Sequence, residues 1–368
     1  MEATMDKLPI QFDFETAPIL KKLIIVHKEL AHLNGICESL PNQAVLVHTL
    51  ALQEAKDSSE IENIITTHAD IYTAIAQPEF KNTRPATKEV LFYVDAIMKG
   101  LHLYRGKGVL TLGCIEAIQA TIERNNAGIR KLPGTALVND KTNEVVYAPP
   151  QPNEIPDLLG NFLAIFNDDS AWDIDPLVKM AILYYQFESI HPFYDGNGRT
   201  GRILNILYLI HERLLNQPIL YLSRYINANK GLYYKHLQSL RDEKSNEAWE
   251  AYIVFMLDGI VKTAQDTSMT VISLREKMNE YKHGIRDTHP SIYSQDLLNT
   301  LFSYPYTRIR ILQDRLGVSY LTARKYLDAL VQDRLLEKIR IGRDSFYVNI
   351  SMMDILAGND ADAVDVGS

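Results

Sequence analysis

Cysteine is nearly absent from this chain of 368 residues: Cys37 and Cys114 are the only two. Two thiols can build neither a disulfide framework nor a cysteine-based zinc site, so reduced thiols in a cytoplasmic protein are expected. No apolar run approaches the roughly 18 residues that a membrane span needs. The chain opens Met1-Glu2-Ala3-Thr4-Met5-Asp6-Lys7, with acids where a secretory leader carries positive charge, and no apolar segment follows. A soluble protein without a membrane partner is the expectation. Positive charge is also scarce. Lys and Arg number 38 against 46 Asp and Glu, a net charge of -8, which excludes capture of a polyanion by bulk attraction. Any nucleic-acid contact must be local.

The 46% of hydrophobic residues excludes wholesale disorder, and the length implies more than one domain. From Ala17 to about Ala76 apolar residues recur at three and four, in Leu20, Leu23 and Ile24, then Leu46 and Leu50, then Ile61, Ile64 and Ile65. Three or so helices are predicted there, interrupted at Pro41-Asn42 and at Asp57-Ser58-Ser59. Thr87 to Arg105 and Leu112 to Arg124 continue the pattern. Between Gly128 and Pro156 two short β-prone runs, Thr135 to Val138 and Val145 to Tyr147, flank a polar turn and predict a hairpin. Helices are expected again over 161–166, 176–188, 199–215 and 230–278, the last broken near Ser245.

After 281–290 the order becomes helix (309–316), Gly317 turn, helix (320–332), and two strands around Gly342-Arg343, the order of a winged helix-turn-helix. Residues 357–368 are acidic and lack aromatics, which predicts a flexible tail.

One segment carries chemistry: Phe187-Glu188-Ser189-Ile190-His191-Pro192-Phe193-Tyr194-Asp195-Gly196-Asn197-Gly198-Arg199-Thr200-Gly201-Arg202. Gly196 and Gly198 permit a tight backbone with inward N–H groups, and the following helix adds its positive end. That geometry holds an anion. Arg199 and Arg202 share one helix face, where their planar forks can clamp phosphate oxygens. Asp195 supplies a hard oxygen suited to Mg²⁺ beside phosphates, and His191 can accept a proton at neutral pH. The segment is not a Walker loop, because no Gly-Lys-Ser/Thr follows a glycine pair.

This segment resembles the signature of the Fic proteins, His-Pro-Phe-x-Asp/Glu-Gly-Asn-Gly-Arg-x-x-Arg, and every fixed position is present. The resemblance implies a mainly α fold, a Fic-type helical core with a β-hairpin flap, followed here by a winged helix-turn-helix. It implies transfer of AMP from ATP, with Mg²⁺, onto a Ser, Thr or Tyr hydroxyl of a target protein, including the enzyme itself. His191 would be the base, Asp195 the metal ligand and Asn197 an α-phosphate contact. Gly196 and Gly198 would form the anion hole. Arg199 and Arg202 would hold the outer phosphates, with Thr200 and Gly201 between them in the nucleotide-binding run. Phe193 would anchor the loop, and Tyr233, or its neighbour Tyr234, would close on adenine.

Ser58-Ser59-Glu60-Ile61-Glu62-Asn63 resembles the family's inhibitory motif, which would make Glu62 a brake paired with Arg202. A purely local reading competes, because Ser59 followed by Glu62 is also the capping box that starts a helix. Packing is likewise a competing reading for Tyr233. The family also implies a homodimer.

The divisions expected are an N-terminal helical region with the inhibitory helix (1–110), a Fic core with flap (111–282), the winged module (290–352) and the tail (357–368). Residues 290–350 hold nine basic and six acidic residues, a net +3, so DNA binding through Arg324, Lys325 and Arg343 stays open beside protein binding. Removal of AMP, another Fic transfer, or a transcription regulator with a nucleotide-sensing core are the alternative functions.

Overall fold

The computed structural model describes residues 5–40, 43–76, 83–138, 144–341 and 344–357. It is mostly helical, with two small antiparallel sheets, and the chain divides into two compact units. Among the described residues no helix is long and apolar enough to cross a membrane.

The chain begins with α1 (Ala17–Glu38), α2 (Ala44–Ile61), α3 (His68–Ala76), α4 (Pro85–Lys107) and α5 (Leu112–Glu123). Strands β1 (Leu137–Val138) and β2 (Val145–Tyr147) pair antiparallel, with Leu137 opposite Tyr147; most of the predicted turn, 139–143, lies outside the described residues. Helices α6 (Ile155–Asn167), α7 (Pro176–Ile190), α8 (Asn197–His211), α9 (Ser223–Ala228) and α10 (Lys230–Asp242) follow, then α11 (Asn246–Thr288).

The first unit comprises Met1–Ala31, Ala51–Ile65 and Lys88–Ala264. Its centre is α7, buried at every position from Leu177 to Ile190, with Lys179, Gln186, Glu188 and Ser189 buried among its apolar residues. Pro176 occupies its first turn, and the Asp175 carboxylate caps it by accepting the Leu177 N–H at 2.8 Å. Helix α8 packs closely on α7 because Gly201 has no side chain. A Cβ there would lie 2.8 Å from Glu188 Oε1 and 3.2 Å from ring carbons of Phe187 and Tyr184. Helices α5 and α6 pack against α8 and α7.

The second unit comprises His32–Leu50, Thr66–Thr87 and Gln265–Ser368. It holds α12 (Gln295–Ser303), β3 (Tyr306–Thr307), α13 (Ile309–Leu316), α14 (Tyr320–Gln332), β4 (Glu337–Ile341), β5 (Asp344–Val348) and α15 (Ile350–Ala357). The three strands form an antiparallel sheet in the order β3-β5-β4. Gly317, at φ 62°, makes the turn between α13 and α14. The Tyr281 hydroxyl joins the Leu335 carbonyl at 2.6 Å and Asn349 Oδ1 at 3.0 Å, so the α11 segment of this unit is tied to the chain flanking the sheet.

Several boundaries differ from the sequence expectation. Asp57-Ser58-Ser59 does not interrupt α2: Ser58 and Ser59 are wholly buried within it, and the Ser58 hydroxyl serves a distant arginine. Helix α6 starts earlier than predicted, because Pro156 lies in its first turn, where a missing N–H costs nothing. Helix α11 runs through 281–288 without the expected break, while α9, α12, β3 and α15 were not anticipated. Residues 41–42, the Gly342-Arg343 turn and the tail from 358 onward lie outside the described residues.

Candidate active site

The loop between α7 and α8 is shaped by residues that leave ordinary backbone space. His191 ends α7 in the left-handed region (φ 49°), its N–H donating to Phe187 O at 3.1 Å. Phe193 is wholly buried below it. The Asn197 amide then closes a ring around the loop, accepting the Phe193 N–H at its Oδ1 and donating from Nδ2 to Phe193 O, both at 2.9 Å. Gly196 opens α8 at φ 77°, a conformation that a side chain would strain. Asp195 is exposed; its Oδ1 accepts the Gly196 N–H at 2.7 Å, and its backbone carbonyl accepts from Gln119 Nε2 at 3.1 Å. The first turn of α8 therefore points its N–H groups toward a loop edged by an exposed carboxylate and an imidazole.

Arg130 holds the underside of that loop. Its Nε donates to His191 O at 2.8 Å, a terminal nitrogen donates to Pro150 O at 2.5 Å, and its own N–H bonds Pro192 O at 2.9 Å. Burial lowers the His191 imidazole to about 4, with Arg130 and Arg241 pushing the same way and the Glu188 backbone and Asp195 opposing. At neutral pH the ring is uncharged and can accept a proton.

On α8 both arginine side chains are only 3% exposed, and Glu62 lies between them. Glu62 Oε2 is 2.6 Å from Arg199 Nε, an ion pair without an aligned hydrogen bond, and Oε1 accepts from an Arg202 terminal nitrogen at 2.9 Å. Arg202 also donates to the Ser58 hydroxyl at 2.7 Å and the Ser58 carbonyl at 3.0 Å. Burial works against the Arg202 charge, yet the Glu62 carboxylate and surrounding tyrosines hold its pKa well above the ordinary value. Arg199 has a second partner, Glu123, at 2.8 Å. Gly198 makes room for this network: a Cβ there would sit 2.8 Å from Glu62 Oε1 and 2.9 Å from an Arg202 terminal nitrogen.

The position of Glu62 follows from how α2 ends. Asn63 adopts φ 63°, Ile64 N–H bonds Ser59 O, and Asn63 N–H bonds Glu60 O, both at 3.0 Å. That pair of bonds is a Schellman ending, which demands a residue tolerant of left-handed geometry at 63. Glu62 therefore terminates a helix, and the capping-box reading of Ser59 and Glu62 does not hold. Along α2 the polar residues Glu54, Asp57, Ser58 and Glu62 repeat at helical spacing on one face. Glu54 bonds the hydroxyls of Tyr93 (3.0 Å) and Ser223 (2.6 Å), and Asp57 pairs with Arg224 at 3.2 Å.

Three sequence profiles match successive parts of the chain. The Fic/DOC family N-terminal profile matches residues 20–102, the Fic/DOC family profile 110–209, and the C-terminal domain of SoFic-like protein adenylyltransferases 277–352. The chain belongs to the Fic/DOC family.

A probable protein adenylyltransferase of Aquifex aeolicus is 37% identical over 83 residues, 22% of this chain and 25% of that protein. Protein adenylyltransferase fic-1 of Caenorhabditis elegans is 40% identical over 66 residues, 18% of this chain and 13% of its own. The matched segments thus span a quarter or less of these relatives. In fold, a Fic family protein from Desulfovibrio desulfuricans aligns at TM-score 0.55 and 18% identity over 90% of this chain and 96% of that one. A Fic domain protein from Bacteroides thetaiotaomicron aligns at TM-score 0.55 and 16% identity over 67% and 98%.

Within this Fic chain His191, Asp195, Gly196 to Arg202 and Glu62 gather around the start of α8. Thr200 is wholly buried. Gly201 faces α7 and serves packing rather than an open surface. Tyr233 does not join them as an accessible ring. It is 2% exposed, and its hydroxyl pairs with that of Tyr184 at 2.8 Å, whereas Tyr234 beside it is 48% exposed. The flap strand β2 is tied down by the Tyr147 hydroxyl, which donates to Ser189 O at 2.9 Å, and by Arg241 stacked 4.1 Å from the Tyr147 ring centroid. In the second unit Arg324 pairs with Asp328 at 3.3 Å, as does Lys338 at 2.7 Å.

Sequence reasoning missed Glu123, Arg130, Glu54 and Asp57. The one-face spacing on α2 was a usable signal for Glu54 and Asp57. Arg130, beside Lys131 in a loop stretch with no periodic pattern, carries none.

Proposed function

We propose that this Fic chain is a Mg²⁺-dependent protein adenylyltransferase restrained by Glu62. The observation that supports this most is the arrangement at the start of α8. A neutral imidazole, an exposed carboxylate and two buried arginines surround one glycine-bearing helix start, with a single internal carboxylate closed on both arginines. The relatives named as protein adenylyltransferases support the same chemistry.

In the reaction a Ser, Thr or Tyr hydroxyl of the target attacks the α-phosphorus of ATP. The new oxygen–phosphorus bond forms as the bond to the β-phosphate breaks, pyrophosphate leaves, and His191 takes the hydroxyl proton. The N–H group at Gly198, and that at Gly196 once it leaves Asp195 Oδ1, receive the charge that builds on the α-phosphate. Asn197, through its two hydrogen bonds with Phe193, holds that backbone in shape, and Arg199 and Arg202 orient the outer phosphates.

Asp195 fits a hard cation, being an exposed carboxylate at the loop edge with Oδ1 accepting the Gly196 N–H. Magnesium bound there would shield the phosphate charge and polarise the reacting phosphoryl group. Tyr233 is covered, so the exposed Tyr234, the alternative ring, is the one assigned to adenine.

The flap β1–β2 would hold the target segment by strand addition. The 290–352 module would serve as an accessory winged helix, and the chain would work in the cytoplasm, modifying itself as well as its target and pairing as a homodimer. The test is transfer of label from α-labelled ATP to protein with Glu62→Gly, followed by mass spectrometry of the modified residue. Label absent from Glu62→Gly, or undiminished by a further His191→Ala, would overturn the reading.

A further inference from the structure

Glu123 is the last residue of α5, at the end of a helix whose dipole disfavours a carboxylate. It is also largely buried, with a side chain 14% exposed. Burial raises its pKa, Arg199 opposes the rise, and Asp195, Glu62 and Glu89 add to it. A strong contact offsets this unfavourable placement: an Arg199 terminal nitrogen donates to Glu123 Oε1 at 2.8 Å.

The same oxygen would lie 2.6 Å from a Cβ at Gly196, just as Glu62 Oε1 would lie 2.8 Å from one at Gly198. Each glycine of the loop thus has its own internal carboxylate pressed against it, one from α5 and one from the end of α2. The two meet at Arg199. Its Nε faces Glu62 at 2.6 Å, one terminal nitrogen faces Glu123 at 2.8 Å, and the other faces Glu89 at 3.6 Å. One guanidinium is therefore surrounded by three carboxylates, and withdrawing Glu62 leaves two in place.

We propose that Glu123 is a second intramolecular counter-ion of the nucleotide clamp, holding Arg199 in the resting enzyme so that release of Glu62 alone opens the polyphosphate site only in part. The proposal rests on the adenylyltransferase reading above. Arg202 has no contact with Glu123, so the two acids divide the clamp unequally: Glu62 covers both arginines and Glu123 covers Arg199 alone. The outer phosphates of the nucleotide must displace Glu123 from the Arg199 fork and also meet its charge beside Gly196.

The experiment compares Glu62→Gly with Glu62→Gly/Glu123→Gln in the full-length chain, measuring Mg-ATP affinity by calorimetry and label transfer from α-labelled ATP. Glutamine keeps the size of the side chain and removes its charge. The double variant should bind Mg-ATP about tenfold more tightly than Glu62→Gly and label faster, and Glu123→Ser in the same background should do likewise. Unchanged affinity would overturn the proposal, as would weaker binding, which would make Glu123 a residue that orients Arg199 for the ligand. If Glu62→Gly itself binds and labels nothing, the adenylyltransferase reading falls instead. If Glu62→Gly binds and labels while neither Glu123 substitution tightens binding, only this inference is lost.

Discussion

Replacing Glu62 with glycine should weaken the resting protein and strengthen its response to nucleotide at once. Glu62 meets Arg199 at 2.6 Å and Arg202 at 2.9 Å, and it is 25% exposed where both arginines are 3% exposed. With charge centres about 4 Å apart and an effective dielectric near 20, each pair is worth roughly 4 kcal/mol before desolvation. Removing one partner of a buried pair typically costs about 3–5 kcal/mol, because a charge is left uncompensated. Here the loss is smaller. Arg199 keeps Glu123 and Glu89, Arg202 keeps both oxygens of Ser58, and water screens the exposed part of Glu62. A cost of about 2 kcal/mol follows, a fall of roughly 4–8 °C in melting temperature for the unit that carries the site. Phosphate oxygens can then take the place of the carboxylate. Mg-ATP should therefore raise the melting temperature of Glu62→Gly by more than that of the unaltered protein, and label transfer should rise at least about tenfold. Thermal melts with and without Mg-ATP, run beside the transfer assay, check both halves. A variant that melts with the parent and gains no more from Mg-ATP would refute the reasoning.

His191→Ala should abolish label transfer in the Glu62→Gly background. There the rate should also stay level from pH 8 to about 5 and fall only toward the lowered value of about 4, because the imidazole remains unprotonated, and so able to act as a base, until then. A single-turnover profile with its inflection near the ordinary histidine value of about 6.5 would contradict this. Asn63→Gly should preserve the left-handed ending of α2, whereas Asn63→Val should cost about 1–2 kcal/mol and raise transfer by loosening Glu62; equal transfer from both variants would count against that account. Gly201→Ala should destabilise by roughly 1–3 kcal/mol through overpacking against α7, seen as a lower melting temperature without a gain in transfer.

The helices were legible where one face alone is apolar or where caps are explicit. Helices α13 and α14 start and stop where the periodicity, Ser319 and Gly317 place them. Helix α2 shows the opposite case. Ser58 and Ser59 look like helix punctuation, but their environment is tertiary: the hydroxyl of Ser58 is engaged by an arginine 144 positions later. The loop from His191 to Arg202 was legible because its chemistry is contiguous in sequence. Glu123 was not, since nothing local announces which cation a carboxylate will meet. Its one clue was an acid at the wrong end of a helix. Tyr233 and Tyr234 are adjacent and of one type, and only packing tells which ring is covered.

The Schellman ending of α2 also sets an equilibrium. On the proposed function, a carboxylate fastened to the end of a helix would compete with phosphate at a fixed effective concentration, which dilution of the protein leaves unchanged. Apparent nucleotide affinity then equals the intrinsic affinity scaled by the fraction of molecules whose last α2 turn has let go. Each 1.4 kcal/mol by which a partner, a substitution or a modification favours the released turn multiplies that fraction about tenfold while it remains small. On the proposed function, Asn63 and the Ser59 and Glu60 carbonyls, none of them part of the chemistry, would thereby set the idle rate of the transferase.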